Sequence, residues 1–252
     1  MKVGVVFFHY NIKKTYEDRW IKKCINSILG QTVKDFSIYE INYGGDDYSI
    51  FEEFTINHPR KFISKKMNNH AEAMNEIIDL AFEDGCDFVF NTNLDDFYHS
   101  RRLETQIKYL QSGYDLVSSD FCYIEEINQE DKVTFTKEIK KFGDIKVNLE
   151  KEHNVIAHPC VAYSKNFWEN NRYVPEEIPR EDMLLWTRAI NNGFKFWICD
   201  EVLLNYRLHQ NQVTGDNSYL AAQRREEERR VEREKKERNP THISFVNPLS
   251  IR

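Results

Sequence analysis

No apolar run in this chain approaches the roughly 20 residues of a membrane span, so no transmembrane segment is expected. Excess positive charge is missing too. The net charge is −6, which argues against a nucleic-acid-binding surface over the whole chain, because phosphate binding needs clustered Lys and Arg. Cysteine is sparse and unpatterned. The five, Cys24, Cys86, Cys122, Cys160 and Cys199, are odd in number and widely spaced, fitting neither a zinc site nor a disulfide framework. Most lie in apolar segments, which predicts buried free thiols in a reducing compartment and a cytoplasmic protein. Met1 to His9 lack the longer apolar region and small-residue cleavage site of a signal peptide, so a first strand is expected there. His9-Tyr-Asn-Ile-Lys-Lys14 contains no glycine, against a glycine-rich phosphate loop near the N terminus.

What is present suits a globular protein. The 252 residues allow one large α/β domain or two small ones. Lys2 to Phe8, Phe36 to Ile41, Lys61 to Ser64 and Phe88 to Phe90 are apolar enough for strands of a buried parallel sheet. Between them Trp20, Ile21, Cys24, Ile25, Ile28 and Leu29, then Met74, Ile77, Ile78, Ala81 and Phe82, recur at helical spacing. Gly30, Gly85, Gly113 and Gly193 each stand before the next strand. This helix–glycine–strand rhythm predicts alternating α and β with a mainly parallel sheet. Phe121 to Lys141 alternates apolar and charged residues and suits an antiparallel edge or hairpin. Arg224 to Arg238 are charged at every position but Val231, which reads as a solvated helix laced with i,i+4 pairs.

One stretch carries the chemistry. The strand Phe88 to Phe90 runs into Asn93, Asp95 and Asp96, and Arg101 to Gln111 then read as a helix with Leu103, Ile107 and Leu110 on one face. Open α/β sheets place ligands at the carboxyl ends of their strands. Paired acids there can hold a divalent cation shared with substrate phosphates, or they can simply cap the following helix.

The motifs line up with a known family. Ser27-Ile-Leu-Gly-Gln-Thr32, Asn93-Leu-Asp-Asp96 with Arg102-Leu-Glu-Thr-Gln106, His158-Pro-Cys-Val161, Arg180-Glu-Asp-Met-Leu-Leu-Trp-Thr-Arg188 and Tyr206-Arg-Leu-His209 occur in order. In these the chain resembles the family 2 glycosyltransferases, inverting enzymes of the GT-A fold, over about residues 2 to 214. The resemblance implies a Rossmann-like, mixed and mainly parallel sheet flanked by helices. Residues 1–100 would hold the nucleotide sugar, 101–214 the acceptor, and 215–252 would form a charged helical extension and tail reaching an oligomeric partner or further domain.

It also implies a nucleotide-diphosphate sugar donor, a UDP-sugar first among them, a carbohydrate or glycoconjugate hydroxyl as acceptor, and Mn²⁺ or Mg²⁺ as cofactor. Asp95 and His209 are the implied metal ligands, and Asp182 the implied base, with Glu181 as fallback. His9, Asn11, Asn42, Tyr43, Asn75, Asn93 and Asp96 are the implied donor-binding residues. Bland readings stand beside these. Asp182 can merely favour a helix N-terminus, Tyr43 can be a loop aromatic, and Trp186 reads as core packing. His70 reads as a surface residue at a helix start. Departures from the family pattern are Asn93 for an acid, Met74 for an arginine, and no glycine in Asn170 to Tyr173. They motivate one alternative, a sugar-nucleotide-binding protein with degraded catalysis; a second, from another class, is a sugar-1-phosphate nucleotidyltransferase, which uses similar sheet topology and acids.

Overall fold

A computed structural model describes residues 1–139 and 144–209. Residues 1 to 209 form one compact unit, and the expected charged extension beyond it lies outside the described residues.

The N-terminal half alternates as expected. Strands β1 (Val3–His9), β2 (Ser37–Asn42), β3 (Arg60–Ser64) and β4 (Phe88–Thr92) are separated by α1 (Ile12–Thr15), α2 (Asp18–Leu29) and α3 (His70–Glu83). All four strands are parallel. Val3, Val5, Val6 and Phe7 of β1 are fully buried, as the two-sided apolar pattern of a central parallel strand requires. The helix α3 buries Met74, Ile77, Ile78 and Ala81 completely. Gly85 ends it at φ +86°, a left-handed conformation that glycine adopts without a Cβ clash.

The C-terminal half makes the sheet mixed. After β5 (Phe97–Tyr98) and α4 (Arg102–Gln111) come β6 (Leu116–Ile127), β7 (Glu130–Lys137), α5 (Ile145–Glu150), β8 (Ala162–Ser164), α6 (Lys165–Asn170), α7 (Glu181–Asn191) and β9 (Phe196–Arg207). The strand order is β3-β2-β1-β4-β8-β6-β9-β5, with β7 paired to β6. The expected hairpin is there, but its first arm is continuous with the strand expected after Gly113, so β6 is one strand of 12 residues. The strand expected over Phe194 to Ile198 likewise runs on to Arg207. Pairing of β6 with β9 runs over Leu116 to Ile124, through register shifts on either side of Asp120.

Three buried polar side chains lock this arrangement. Gln31 donates to the carbonyls of Ser27 (2.9 Å) and His99 (2.8 Å) and accepts from the Leu103 amide (3.0 Å). It thereby satisfies a first-turn N–H of α4, whose own cap residue Arg101 makes no side-chain capping bond. Arg102, wholly buried, donates to the carbonyls of Asn91 (2.7 Å) and Val161 (3.3 Å) and to Gln106 Oε1 (3.0 Å). Gln106 in turn donates to the carbonyls of Val117 (2.9 Å) and Cys160 (2.7 Å). Replacing Gln106 with Leu strips these buried groups of partners, and each orphan costs about 1–3 kcal/mol. Urea unfolding is expected to show a loss of roughly 2–4 kcal/mol; a midpoint unchanged from wild type would refute the bracing role.

Candidate active site

The parallel register brings the ends of β1 and β2 together, with His9 opposite Asn42. Both are spent on their own loop. Glu40, fully buried, accepts from Ser49 Oγ (2.7 Å) and the Ile50 amide (2.8 Å) and lies 2.9 Å from His9 Nε2. A carboxylate can only accept here, so Nε2 donates, which leaves the other ring nitrogen, His9 Nδ1. That nitrogen is buried with no hydrogen-bond partner among the described residues. Asn42 donates to the carbonyls of Asp46 (3.0 Å) and Tyr48 (3.0 Å) and accepts from the Gly44 amide (3.0 Å). Tyr43 stacks on Tyr10 at 5.5 Å between ring centres, and Tyr10 is 54% exposed. Asn11 is exposed and left-handed at φ 52°, opening α1. Asn75 clamps the backbone of Tyr173 from both sides, at 2.9 and 3.1 Å. Met74 is buried, and Lys65 is paired with Glu76.

The acidic turn after β4 meets the end of β9. Pairing of Phe97 with Asn205 starts the convergence. The Arg207 amide then donates to Asp96 Oδ1 (2.8 Å) and its Nε to the Asp95 carbonyl (2.8 Å). Two residues on, His209 Nε2 lies 3.0 Å from Asp95 Oδ2. Aromatic rings enclose that histidine: Tyr16 edge-on at 5.8 Å and Trp20 at 5.0 Å. Burial, then the charge of Asp95, pushes the Asp96 carboxyl well above the usual carboxylate range. Burial, then Asp95 and Asp96, also pushes the Tyr16 hydroxyl up, so it stays protonated.

This donor set fits a small hard cation. Asp95 Oδ1, Asn93 Oδ1 and Asp96 Oδ2 are buried acceptors without a hydrogen-bond partner among the described residues, which a cation or its waters would satisfy. Among those residues no three His, Cys, Asp or Glu side chains form a complete cage. Mg²⁺ is typically held by one or two carboxylates together with substrate phosphates and waters, and needs no such cage.

The second acidic spot opens α7. Asp182 Oδ1 accepts from the Met183 amide (2.5 Å) and Oδ2 from Asn154 Nδ2 (2.9 Å). Burial, then the neighbouring charge of Glu181, pushes its carboxyl up to about 6. Glu181 Oε1 lies 2.8 Å from His70 Nε2. Burial works against ionised Glu181, but the His70 bond and its other partners outweigh it and leave the carboxyl below its usual range. His70 is thus not the surface residue expected from sequence. It opens α3, shortly after the end of β3, and ties the start of α7 to the start of α3. His158 is pushed down to about 4 by burial and bonds Tyr173 Oη at 2.9 Å. Trp186 is wholly buried against His158, Tyr163, Phe167 and Tyr173, as its packing reading requires. Sequence reasoning missed Glu40, Tyr16, Trp20 and Arg207 as parts of these clusters. Only Arg207 had a signal, its place inside Tyr206-Arg-Leu-His209.

The model of the family described as glycosyl transferase family 2 matches residues 13–170. A glycosyltransferase of Methanocaldococcus jannaschii is 30% identical over 214 residues, covering 82% of this chain and 70% of that protein. The O-antigen biosynthesis glycosyltransferase WbnJ of Escherichia coli is 27% identical over 206 residues, with 78% and 77% covered. Among solved structures, TarS of S. aureus in complex with UDP-GlcNAc superposes with a TM-score of 0.62 at 14% identity, over 86% of this chain and 61% of that one. The mannosyltransferase PcManGT from Pyrobaculum calidifontis, in complex with GDP-Man and Mn²⁺, gives a TM-score of 0.56 at 14% identity, over 80% and 55%. This chain therefore spans less than two thirds of either solved chain, and at such identity the likeness speaks to the fold alone. The fold is GT-A, as the motifs implied. With the family model matched over residues 13–170 and a 30% identical glycosyltransferase aligned along most of its length, the chain belongs to glycosyl transferase family 2.

Proposed function

We propose that this glycosyltransferase is an inverting, metal-dependent enzyme. It moves a sugar from a nucleotide-diphosphate donor to a hydroxyl of a carbohydrate or glycoconjugate, in glycan or polysaccharide synthesis. The observation that carries the reading is the Asp95–His209 pair, with a buried carboxylate oxygen that has no hydrogen-bond partner among the described residues. A UDP-sugar is the first donor to test, and a GDP-sugar the second, since the solved neighbours are complexed with one of each. Five buried free thiols support a reducing compartment, the cytoplasm. Among the described residues no helix is long and apolar enough to cross a membrane.

Asp95 and His209 would hold the cation, and Asn93 would offer an amide oxygen to the donor's ribose or to water at that site. The bound cation supplies Lewis-acid stabilisation of the charge that develops on the departing diphosphate. His9, Asn11, Asn42 and Tyr43 shape the nucleotide end, with Asn42 setting the turn and the Tyr10–Tyr43 stack offering an exposed ring face. Asn75 acts on the donor site through the Tyr173 segment it clamps. Asp182 removes the proton of the acceptor hydroxyl as that oxygen attacks the anomeric carbon opposite the leaving group. Its raised carboxyl suits this task, because a base works best with a proton affinity near working pH. Glu181, tied to His70, supplies the fixed negative charge beside it.

Asp95→Ala is expected to abolish Mn²⁺-dependent donor binding, read by thermal shift with UDP- and GDP-sugars; undiminished metal-dependent stabilisation would remove Asp95 from the site.

Asp182→Asn is expected to lower transfer by roughly 10²- to 10⁴-fold while donor binding survives. In wild type, kcat/KM should fall about tenfold per pH unit below a pH near 6, as the base becomes protonated. The same group links to stability. A carboxyl whose folded proton affinity is raised stabilises fully below its ordinary value and loses that contribution as pH rises through about 6. Asp182→Asn should therefore melt higher relative to wild type at pH 7 than at pH 4. A pH-independent difference, with transfer intact, would exclude Asp182 as the base.

A further inference from the structure

The ligand His209 stands two residues beyond the last β6–β9 register pair, Ile124 with Arg207. The Leu208 N–H donates to the Ile124 carbonyl (2.9 Å) just before it. Its imidazole ring meets the Trp20 indole at 5.0 Å with the planes tilted by 49°. That indole is itself pinned on two sides. Nε1 donates to Glu126 Oε2 at 2.6 Å, and the Arg207 guanidinium lies 4.8 Å over the ring. Glu126 belongs to β6, two residues past Ile124, and its other oxygen is held by Arg19, next to Trp20 in α2.

We infer that Trp20, oriented by Glu126, is a positioning residue that presents the His209 ring to the divalent cation. This rests on the cation site proposed above. A metal-ligating imidazole must be held in one orientation, and loss of the groups that orient such ligands typically costs 10–100-fold in metal affinity. Trp20 does this from the ring face, while Asp95 shares the ring edge at Nε2. Glu126 and Trp20 stand 106 residues apart, so the hairpin formed by β6 and β7 contributes to the site without touching the cation.

The test is a titration of the full chain with MnCl₂ in the presence of UDP, with free Mn²⁺ read by electron paramagnetic resonance. Trp20→Phe keeps an aromatic ring but loses the indole N–H, and is expected to raise the Mn²⁺ Kd about 10–100-fold. Glu126→Ala should weaken binding in the same direction. Glu126→Gln, whose amide oxygen still accepts the indole N–H, should retain most of the affinity. Urea midpoints of the metal-free proteins separate this from a packing role, which would lower the midpoint and leave Kd alone. Wild-type indole fluorescence should be quenched by Mn²⁺, and Trp20→Phe should lose that component. If Trp20→Phe and Glu126→Ala bind Mn²⁺ as wild type does while Asp95→Ala does not, the inference falls and the site stands. If wild type binds no Mn²⁺, both fall.

Discussion

The site depends on one residue more than on any metal-ligand candidate. Arg207 donates its backbone N–H to Asp96 and its Nε to the Asp95 carbonyl, and its guanidinium reaches Asp131 on β7. It is almost completely buried. A guanidinium stays charged in a protein, so burying one requires acceptors arranged around it. Here those acceptors are the acidic turn after β4 and the hairpin of β6 and β7. Satisfying Arg207 therefore forces the last strand of the sheet back onto the first acidic loop. His209 reaches Asp95 as a consequence of that closure.

The sheet supplies the stage for this. Parallel strands β1 to β4 share one carboxyl edge, and every loop leaving it carries polar groups that cannot all be solvated. Many are satisfied by one another: Glu40 by His9, Ser49 and Ile50, and Asn42 by its own turn. Of the buried acceptors without a partner among the described residues, Asp95 Oδ1, Asn93 Oδ1 and Asp96 Oδ2 cluster in one turn. Natural structures rarely leave buried acceptors unpaired, and this concentration is what supports the cation site proposed there.

Much of this was legible from residue order alone. Periodicity located β1, α2, β2, α3, β4 and α4, because each is an apolar pattern bounded by glycine or polar turns. The Asp95 and Asp182 spots were legible as acidic residues at element ends. The partnerships were not. Gln31, Arg102 and Gln106 stand inside the motifs, but nothing in those motifs says that they reach backbone carbonyls up to 68 residues away. His70 meets Glu181 across 111 residues, and no local pattern announces that pairing. The length of β6 and β9 was missed because Phe121 to Lys141 shows the alternation of an exposed hairpin. Nothing in that alternation says that its first arm continues a core strand.

The clamp that Asn75 places on Tyr173 joins chain segments 98 residues apart. Trp168 and Arg172 reinforce it through Asp79, one turn further along α3. These bonds rivet α3 to the segment that follows α6. Swinging one half of the molecule away from the other would break all of them together. A change of shape that separates these segments therefore costs more than one confined to side chains and edge loops, such as the exposed Tyr10 ring.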